Sequence, residues 1–193
     1  MRVAERLTSA TTTLMQRHGV AGTGIAEILS TSGVTRRSIY LNFPGGKAEL
    51  VAAATRSAGD EFTTTLRDCI QQHDPIGAFT GVWSEILIST DFESGCPIVA
   101  AAFSRAEAPE AANTAADVFA EWGHLLTNRL HSDGIDHAAA QSLSTTVVAA
   151  LEGAVILSRA AQSTKPLEQV SRHLNELISQ HRPAQPRRQR RQR

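Results

Sequence analysis

Residues 24–47 read GIAEILSTSGVTRRSIYLNFPGGK and contain the strongest structural signal in the chain. Apolar residues recur at three- and four-residue spacing before and after Gly33, which indicates two short helices. Gly33 supplies the positive φ that a tight turn between them requires. Two short helices joined by Ser-Gly-Val are typical of a helix-turn-helix, in which the second helix enters the major groove of DNA.

Threonines mark the expected starts of both helices. Thr23 precedes the first helix and Thr35 the second, and a threonine hydroxyl in such a position accepts a hydrogen bond from a free backbone amide. We expect the second helix to end near Leu41, because Pro44-Gly45-Gly46 cannot continue it.

The second helix begins with a basic pair whose position is unfavourable for the helix itself. Arg36 and Arg37 lie in the first turn, where the helix dipole is positive, so each costs roughly a few tenths of a kcal/mol. Phosphates or guanine edges would offset that cost, because arginine can donate two hydrogen bonds to either. The alternative is a solvated arginine pair on an exposed helix. The adjoining turn favours DNA binding.

The remainder of the chain also reads as helix, so the predicted fold class is all-α with about nine helices. Alanine occupies 29 of 193 positions and β-branched residues rarely alternate with polar ones, which argues against strands. A first helix ends at His18-Gly19, and a long fourth helix runs from Lys47 to His73. Proline, which suits the first helical turn, opens four later helices. The later helices are predicted at residues 75–89, 97–107, 109–131, 136–161 and 166–181.

Charge is distributed unevenly along a chain whose formal net charge is zero. Residues 1–56 carry seven basic and three acidic side chains, residues 57–181 carry six and sixteen, and residues 182–193 carry six arginines and no acid. A basic start suggests that this end meets a polyanion. We predict a helix-turn-helix DNA-binding domain at 1–46, a helical effector-binding and dimerisation domain at 47–181 that begins with a linking helix at 47–73, and a disordered tail at 182–193. The tail is either solvated or holds DNA through phosphate charge.

The composition of the chain argues against a membrane protein and against reactive cysteines. The longest unbroken apolar run, 96–103, is too short to cross a bilayer, and the chain starts without a signal peptide's apolar stretch, so we expect a cytoplasmic protein with no membrane partner. Cys69 and Cys96 are expected to be reduced and inert, because neither has a flanking arginine or histidine that would lower its pKa. A redox-responsive DNA-binding regulator that uses these thiols is the alternative.

An enzyme is the competing class, and the sequence offers little for it. The chain has no Gly-x-Ser-x-Gly, HExxH or P-loop pattern, and Gly22-x-Gly24 lacks the third glycine of a dinucleotide-binding loop. His124 and His131 lie seven apart on one predicted helix, but surface or core positions are favoured over a metal site. We therefore expect no catalytic residues, no metal and no cofactor.

The middle helices hold most of the few aromatic residues. This clustering indicates a pocket for an apolar or aromatic small molecule, although ordinary core packing predicts the same pattern. The candidate pocket residues are Phe79, Trp83, Phe103, Phe119, Trp122 and His124.

The last two predicted helices carry apolar stripes that suit a four-helix interface between two copies. A dimer is expected because a single short recognition helix reads only a few base pairs. The candidate interface residues are Leu143, Val147, Leu151, Ala154, Leu167, Val170 and Leu174. The alternative is that both stripes pack inside one subunit.

The run from His18-Gly19-Val20 through GVTRRSIYLNF to PGGK resembles the amino-terminal DNA-binding domain of TetR/AcrR-type transcriptional repressors. Ser38-Ile39-Tyr40 and Phe43 match that family's recognition helix, and FPGGK is similar to the branch containing LmrA and YxaF. Further matches to this branch lie at Gly95-Cys96-Pro97, Glu152-Gly153-Ala154 and residues 163–167.

The resemblance implies a repressor, and we expect a small apolar or aromatic effector to release it from a palindromic operator. The length of the fourth helix suggests that an effector shifts this helix as a lever. It places Ile39 and Phe43 in the core and Lys47 on a phosphate. Arg37 stands where many members have glycine, and Asn42 where they usually have histidine, so we expect an unusual operator sequence. The candidate DNA-contacting residues are Thr35, Arg36, Arg37, Ser38, Tyr40, Asn42 and Lys47.

Overall fold

The structure is a computed structural model of the chain, and it describes residues 2–183. Most of the predicted arginine-rich tail therefore lies outside the described residues. Within residues 2–183 the chain forms nine helices and no strand, which confirms the all-α class. The helices are α1 (Val3–His18), α2 (Ile25–Ser32), α3 (Arg36–Asn42), α4 (Lys47–Ile70), α5 (Pro75–Ser89), α6 (Pro97–Ala102), α7 (Pro109–Ser132), α8 (His137–Ala161) and α9 (Lys165–His181).

α4 ends at Ile70, earlier than the predicted His73. The backbone N–H of Gln71 donates to the Asp68 carbonyl at 3.3 Å, which tightens the last turn and stops the helix. After this turn, the Asp74 side chain accepts a hydrogen bond from the Gly77 N–H at 2.9 Å and caps α5.

α6 ends at Ala102, well before the predicted Glu107. Ser104 terminates it, because both its N–H and its hydroxyl donate to the Ala101 carbonyl, at 3.0 and 2.7 Å. Pro109 disfavours a helical residue before it, and Ala108 is non-helical, with φ −145° and ψ 72°. Residues 103–107 accordingly form turns, not helix.

The buried apolar residues form two separate clusters. The smaller cluster joins α1, α2, α3 and the first turn of α4 through Leu7, Leu14, Ile28, Ile39, Phe43 and Leu50. It includes Ile39 and Phe43, so both are core residues as the family resemblance implied. The larger cluster consists mainly of residues from the six helices α4 to α9. The helix-turn-helix thus has a core of its own.

α4 contributes to both clusters. Leu50 packs in the smaller cluster, while Val51 and Ala54 pack in the larger one. The predicted domain boundary between residues 46 and 47 stays a prediction, because α4 packs with the residues on both sides of it.

Two tryptophans lie at the centre of the larger cluster. Trp83 stacks on Phe62 with 5.2 Å between ring centroids. Trp122 packs edge-on against Phe119 at 5.4 Å and donates a hydrogen bond from Nε1 to the Thr63 hydroxyl at 2.9 Å. These contacts fix α5 and α7 against α4.

α8 is long and apolar enough to cross a membrane by length and composition. One side of α8, including Leu143 and Val147, is buried within the larger cluster. A core helix of a helical bundle has this packing, so α8 alone is weak evidence for a membrane span.

Candidate nucleic-acid interface and cavity

The turn between α2 and α3 has the geometry that its glycine predicts. Gly33 adopts the left-handed conformation with φ 63°, and its N–H donates to the Leu29 carbonyl at 2.9 Å. Arg6 of α1 donates to the Ser32 carbonyl at 2.6 Å and to the Gly33 carbonyl at 3.2 Å. Sequence reasoning missed Arg6, because its partners are backbone atoms 26 and 27 residues away.

The threonine caps differ from the sequence expectation. Thr23 does not cap α2, which begins after Gly24; its hydroxyl instead donates to the Gly19 carbonyl at 2.7 Å and closes the preceding loop. The expectation was wrong because Thr23 is fully buried against that loop. Thr35 does occupy the N-cap position of α3, but its hydroxyl pairs with the Ser38 hydroxyl at 3.0 Å, and no backbone amide bonds to it.

α3 has one buried and one exposed face. Ile39 has 0% of its surface exposed, and it anchors the helix in the smaller cluster. Arg36 and Arg37 are exposed, and Tyr40 is 46% exposed. Within residues 2–183 no carboxylate forms an ion pair with either arginine. The outward face of α3 therefore exposes cationic and hydrogen-bonding groups to solvent.

Asn42 and Lys47 flank the end of α3 and already have partners within the chain. Asn42 is exposed, and its amide Nδ2 donates to the Ser38 carbonyl at 2.8 Å. Lys47 opens α4, and its ammonium donates to the Val20 carbonyl at 3.0 Å. An ammonium has three donors, so this bond orients Lys47 and leaves two others for an anion.

A cavity of about 470 Å³ lies between α6, α7 and α8. Its volume is within the usual range for a small-molecule site, and its walls are mainly apolar. The lining residues are Val99, Phe119, Ala120, Gly123, His124, Thr127, Gln141, Thr145, Val148, Ala149 and Glu152.

The structure brings only two of the predicted pocket residues, Phe119 and His124, to this cavity. Phe79, Trp83 and Trp122 are buried core residues. Phe103 is 86% exposed, because α6 ends before it and the following turn directs it to solvent. The six predicted residues therefore do not line one pocket.

Glu152 is the only acidic residue of α8, and it is one of the residues that line the cavity. Its oxygen Oε2 is buried and has no hydrogen-bond partner among the described residues. Burial raises the pKa of Glu152 from 4.5 to about 7, and the neighbouring Cys96 thiol, a weak donor, offsets part of that rise. Sequence reasoning did not assign a role to Glu152, although a single acid in an apolar helix was a usable signal.

Both cysteine thiols are buried. Burial and the adjacent Asp68 raise the pKa of Cys69, and burial and Glu152 raise the pKa of Cys96. A raised pKa disfavours the reactive thiolate, so these surroundings give no support to a redox sensor.

The α5–α6 loop joins the C-terminal end of α8 to α1. Arg159 of α8 donates to the Phe92 carbonyl at 3.4 Å, to the Glu93 carbonyl at 2.5 Å and to the Arg17 carbonyl at 3.4 Å. Arg17 also forms an ion pair with the Glu93 carboxylate at 3.2 Å. One guanidinium thus connects a loop, α8 and the end of α1.

The same loop runs from the cavity wall to α1. Cys96 lies beside Glu152, and the preceding residue, Gly95, donates its N–H to the Gln16 carbonyl at 2.9 Å. Gly95 and Cys96, two adjacent residues, thus lie between Glu152 and α1.

The predicted dimer stripes are located inside the subunit. Leu143, Val147, Leu151, Ala154, Leu167 and Leu174 are buried, and Val170 is half-buried against the same cluster. They pack within one chain because α8 and α9 turn these faces toward the core. The apolar surface that α8 leaves exposed is instead at Ile156 and Leu157, which are 55% and 57% exposed.

Comparison with known proteins identifies the family. Residues 7–54 match the family model described as "Bacterial regulatory proteins, tetR family", and residues 73–173 match "Transcriptional regulator LmrA/YxaF-like, C-terminal domain". The chain is 32% identical over 181 residues to the HTH-type transcriptional regulator Rv0196 of Mycobacterium tuberculosis, covering 90% of this chain and 93% of the relative. It is 30% identical over 179 residues to HTH-type transcriptional regulator LmrA of Bacillus subtilis, covering 90% and 95%.

Solved structures agree with these sequence matches. A TetR transcriptional regulator from Legionella pneumophila superposes with a TM-score of 0.80 at 21% identity, covering 92% of this chain and 98% of that one. A TetR regulator from Chloroflexus aurantiacus gives 0.77 at 26% identity, covering 94% and 97%. The exposed basic helix after a glycine turn, the helical second half and these matches together show that the chain belongs to the TetR family of DNA-binding transcriptional regulators, with a C-terminal domain of the LmrA/YxaF type.

Proposed function

We propose that the protein is a repressor that binds a palindromic operator as a homodimer and is released from it by a small molecule. The observation that carries the proposal is the two-faced α3: Ile39 is fully buried, while Arg36, Arg37 and Tyr40 face outward without an acidic partner in the described chain. A helix anchored on one side and cationic on the other is suited to a major groove.

The contacts divide into base reading and phosphate binding. Arg36, Arg37 and Tyr40 are assigned to base edges and flanking phosphates, and Thr35, Ser38 and Asn42 add hydrogen-bonding groups along the same short helix. Lys47 is assigned to phosphate, since its contact with the Val20 carbonyl holds the ammonium near the amino end of α4.

Arg37→Ala and Tyr40→Ala are each expected to weaken specific DNA binding by about 1–3 kcal/mol, because each removes a contact to a base edge. Fluorescence anisotropy on operator and scrambled duplexes measures the effect. Arg105→Ala, which removes an exposed arginine from the α6–α7 connection, is the control and leaves both affinities unchanged. An equal loss on both duplexes would show that neither side chain reads bases.

Lys47→Ala is expected to weaken binding to operator and scrambled DNA nearly uniformly. Removing one phosphate contact releases one counterion fewer, so the slope of log affinity against log salt becomes shallower by about one. Titrations at several salt concentrations measure the slope. An unchanged slope would remove Lys47 from the phosphate contacts.

The dimer is proposed to form through the exposed surface of α8, which carries Ile156 and Leu157. Leu157→Glu is expected to convert the protein to a monomer at micromolar concentration, because the interface would bury an unpaired charge. Light scattering measures the mass, and Ile88→Glu, which changes an exposed apolar residue of α5, is the control. A Leu157→Glu protein that stays dimeric would place the interface elsewhere.

The effector is proposed to bind in the cavity between α6, α7 and α8 and to act on α1 through the α5–α6 loop. The hydrogen bonds from Gly95 to Gln16 and from Arg159 to Arg17 support this route. Coupling of about 1–3 kcal/mol, the usual range, would change DNA affinity roughly 5- to 150-fold.

Selection of bound sequences from random duplex DNA at a defined salt concentration tests the proposal. A symmetric sequence with two half-sites about one helical turn or a multiple of it apart is the expected result, because a dimer presents two copies of α3. Recovery of no shared sequence would contradict it.

A further inference from the structure

Glu152 has an unsatisfied carboxyl oxygen in an apolar setting. Oε2 is buried and has no hydrogen-bond partner among the described residues. A buried polar atom without a partner is unfavourable, so a protein that keeps one gains stability when a ligand supplies the partner.

The cavity between α6, α7 and α8 provides no lysine or arginine as a partner for this carboxyl. His124 on α7 is the only other titratable side chain in its lining. From the α6 side Glu152 meets the Cys96 thiol. Arg159 lies seven residues, about two turns, after Glu152 on α8. Both residues line an adjacent cavity, but the Arg159 guanidinium donates to three backbone carbonyls of the α5–α6 loop and α1.

The rest of the cavity suits an apolar body. Val99, Phe119 and Val148 provide hydrophobic contact. The shape and chemistry therefore combine an apolar wall with one acidic group.

We propose that this cavity binds a small organic cation, an ammonium on an apolar or aromatic body, with the Glu152 carboxylate as its counter-ion. Binding itself is independent of the proposed function; only its effect on DNA depends on that function. A bound cation stabilises the ionised form of Glu152, so binding releases a proton and tightens as pH rises through neutrality.

Calorimetry with the full chain tests the proposal, using phenylbutylammonium and the neutral phenylbutanol, which share one apolar body. The wild-type protein is expected to bind the ammonium about tenfold more tightly than the alcohol at pH 8, with a smaller preference at pH 6. Glu152→Gln removes the preference, because glutamine keeps the shape and loses the charge. Glu61→Gln, an exposed glutamate of α4, retains it.

Equal affinity for the two compounds, a preference that survives in Glu152→Gln, or no binding of either at millimolar concentration would overturn the proposal. DNA affinity is then measured with the ammonium present. Binding that depends on Glu152 but leaves DNA affinity unchanged would support the cation site and contradict its role as the effector site. Failure of the cation site and failure of the proposed function therefore give different results.

Discussion

Trp122→Ala is expected to lower the free energy of unfolding by about 3–5 kcal/mol, the largest effect of any substitution considered for this chain. Trp122 of α7 is 2% exposed and packs against Phe62 of α4 and Phe119 of α7. Its removal leaves a void that the surrounding helices fill only partly. The Thr63 hydroxyl, which accepts the indole hydrogen bond at 2.9 Å, also loses its partner.

Urea denaturation followed by circular dichroism, at one fixed protein concentration, measures this effect. Trp122→Phe is expected to fall between the alanine variant and the wild type, because it keeps much of the ring and loses the hydrogen bond. Phe103→Ala is the control, since that ring is 86% exposed and its removal changes stability by less than about 0.5 kcal/mol. Equal effects of Trp122→Ala and Phe103→Ala would contradict the packing described for the larger cluster.

Glu152→Gln is expected to stabilise the protein at pH 8 by up to about 3 kcal/mol, because the pKa of Glu152 is about 7 in the folded chain against 4.5 for an ordinary glutamate. Between those values the folded protein holds a proton that the unfolded chain has lost. The contribution of protonated Glu152 to the stability of the wild-type protein is therefore complete below pH 4.5, and it is lost as the pH rises to about 7. Glutamine resembles the protonated acid at every pH.

The advantage of the glutamine variant should accordingly shrink to less than about 1 kcal/mol at pH 5. Parallel denaturation of both proteins at pH 5 and pH 8 measures the difference. Glu61→Gln, whose carboxylate is exposed in the wild type, shows no comparable change with pH. A glutamine variant that is less stable than wild type at pH 8 would show that the Glu152 carboxylate has a stabilising partner.

The helix-turn-helix could be predicted from sequence because its signals are local. Gly33 requires a left-handed turn, and the apolar spacing that includes Ile39 identifies the buried face of α3, so the basic and aromatic residues between must face outward. The prolines in the first helical turns and the apolar spacing likewise predicted most of the later helices. Thr23 shows the limit, since a threonine next to a helix can cap it or close the loop before it.

The cavity and the dimer surface could not be predicted in the same way. Periodicity shows that Leu143 and Leu174 lie on apolar faces, but not whether the subunit core or a second copy covers them. Aromatic content likewise could not separate Trp83, a core residue, from Phe119, which lines the cavity. Both distinctions depend on how helices far apart in sequence pack together.

The affinity ratio between a selected palindrome and a scrambled duplex of equal length, at physiological salt with no added ligand, tests the central claim most directly. The claim is that the exposed residues of α3 read base sequence in duplex DNA. A ratio of about a thousand or more is the expected result for a specific regulator. Equal affinity for the two duplexes would contradict it.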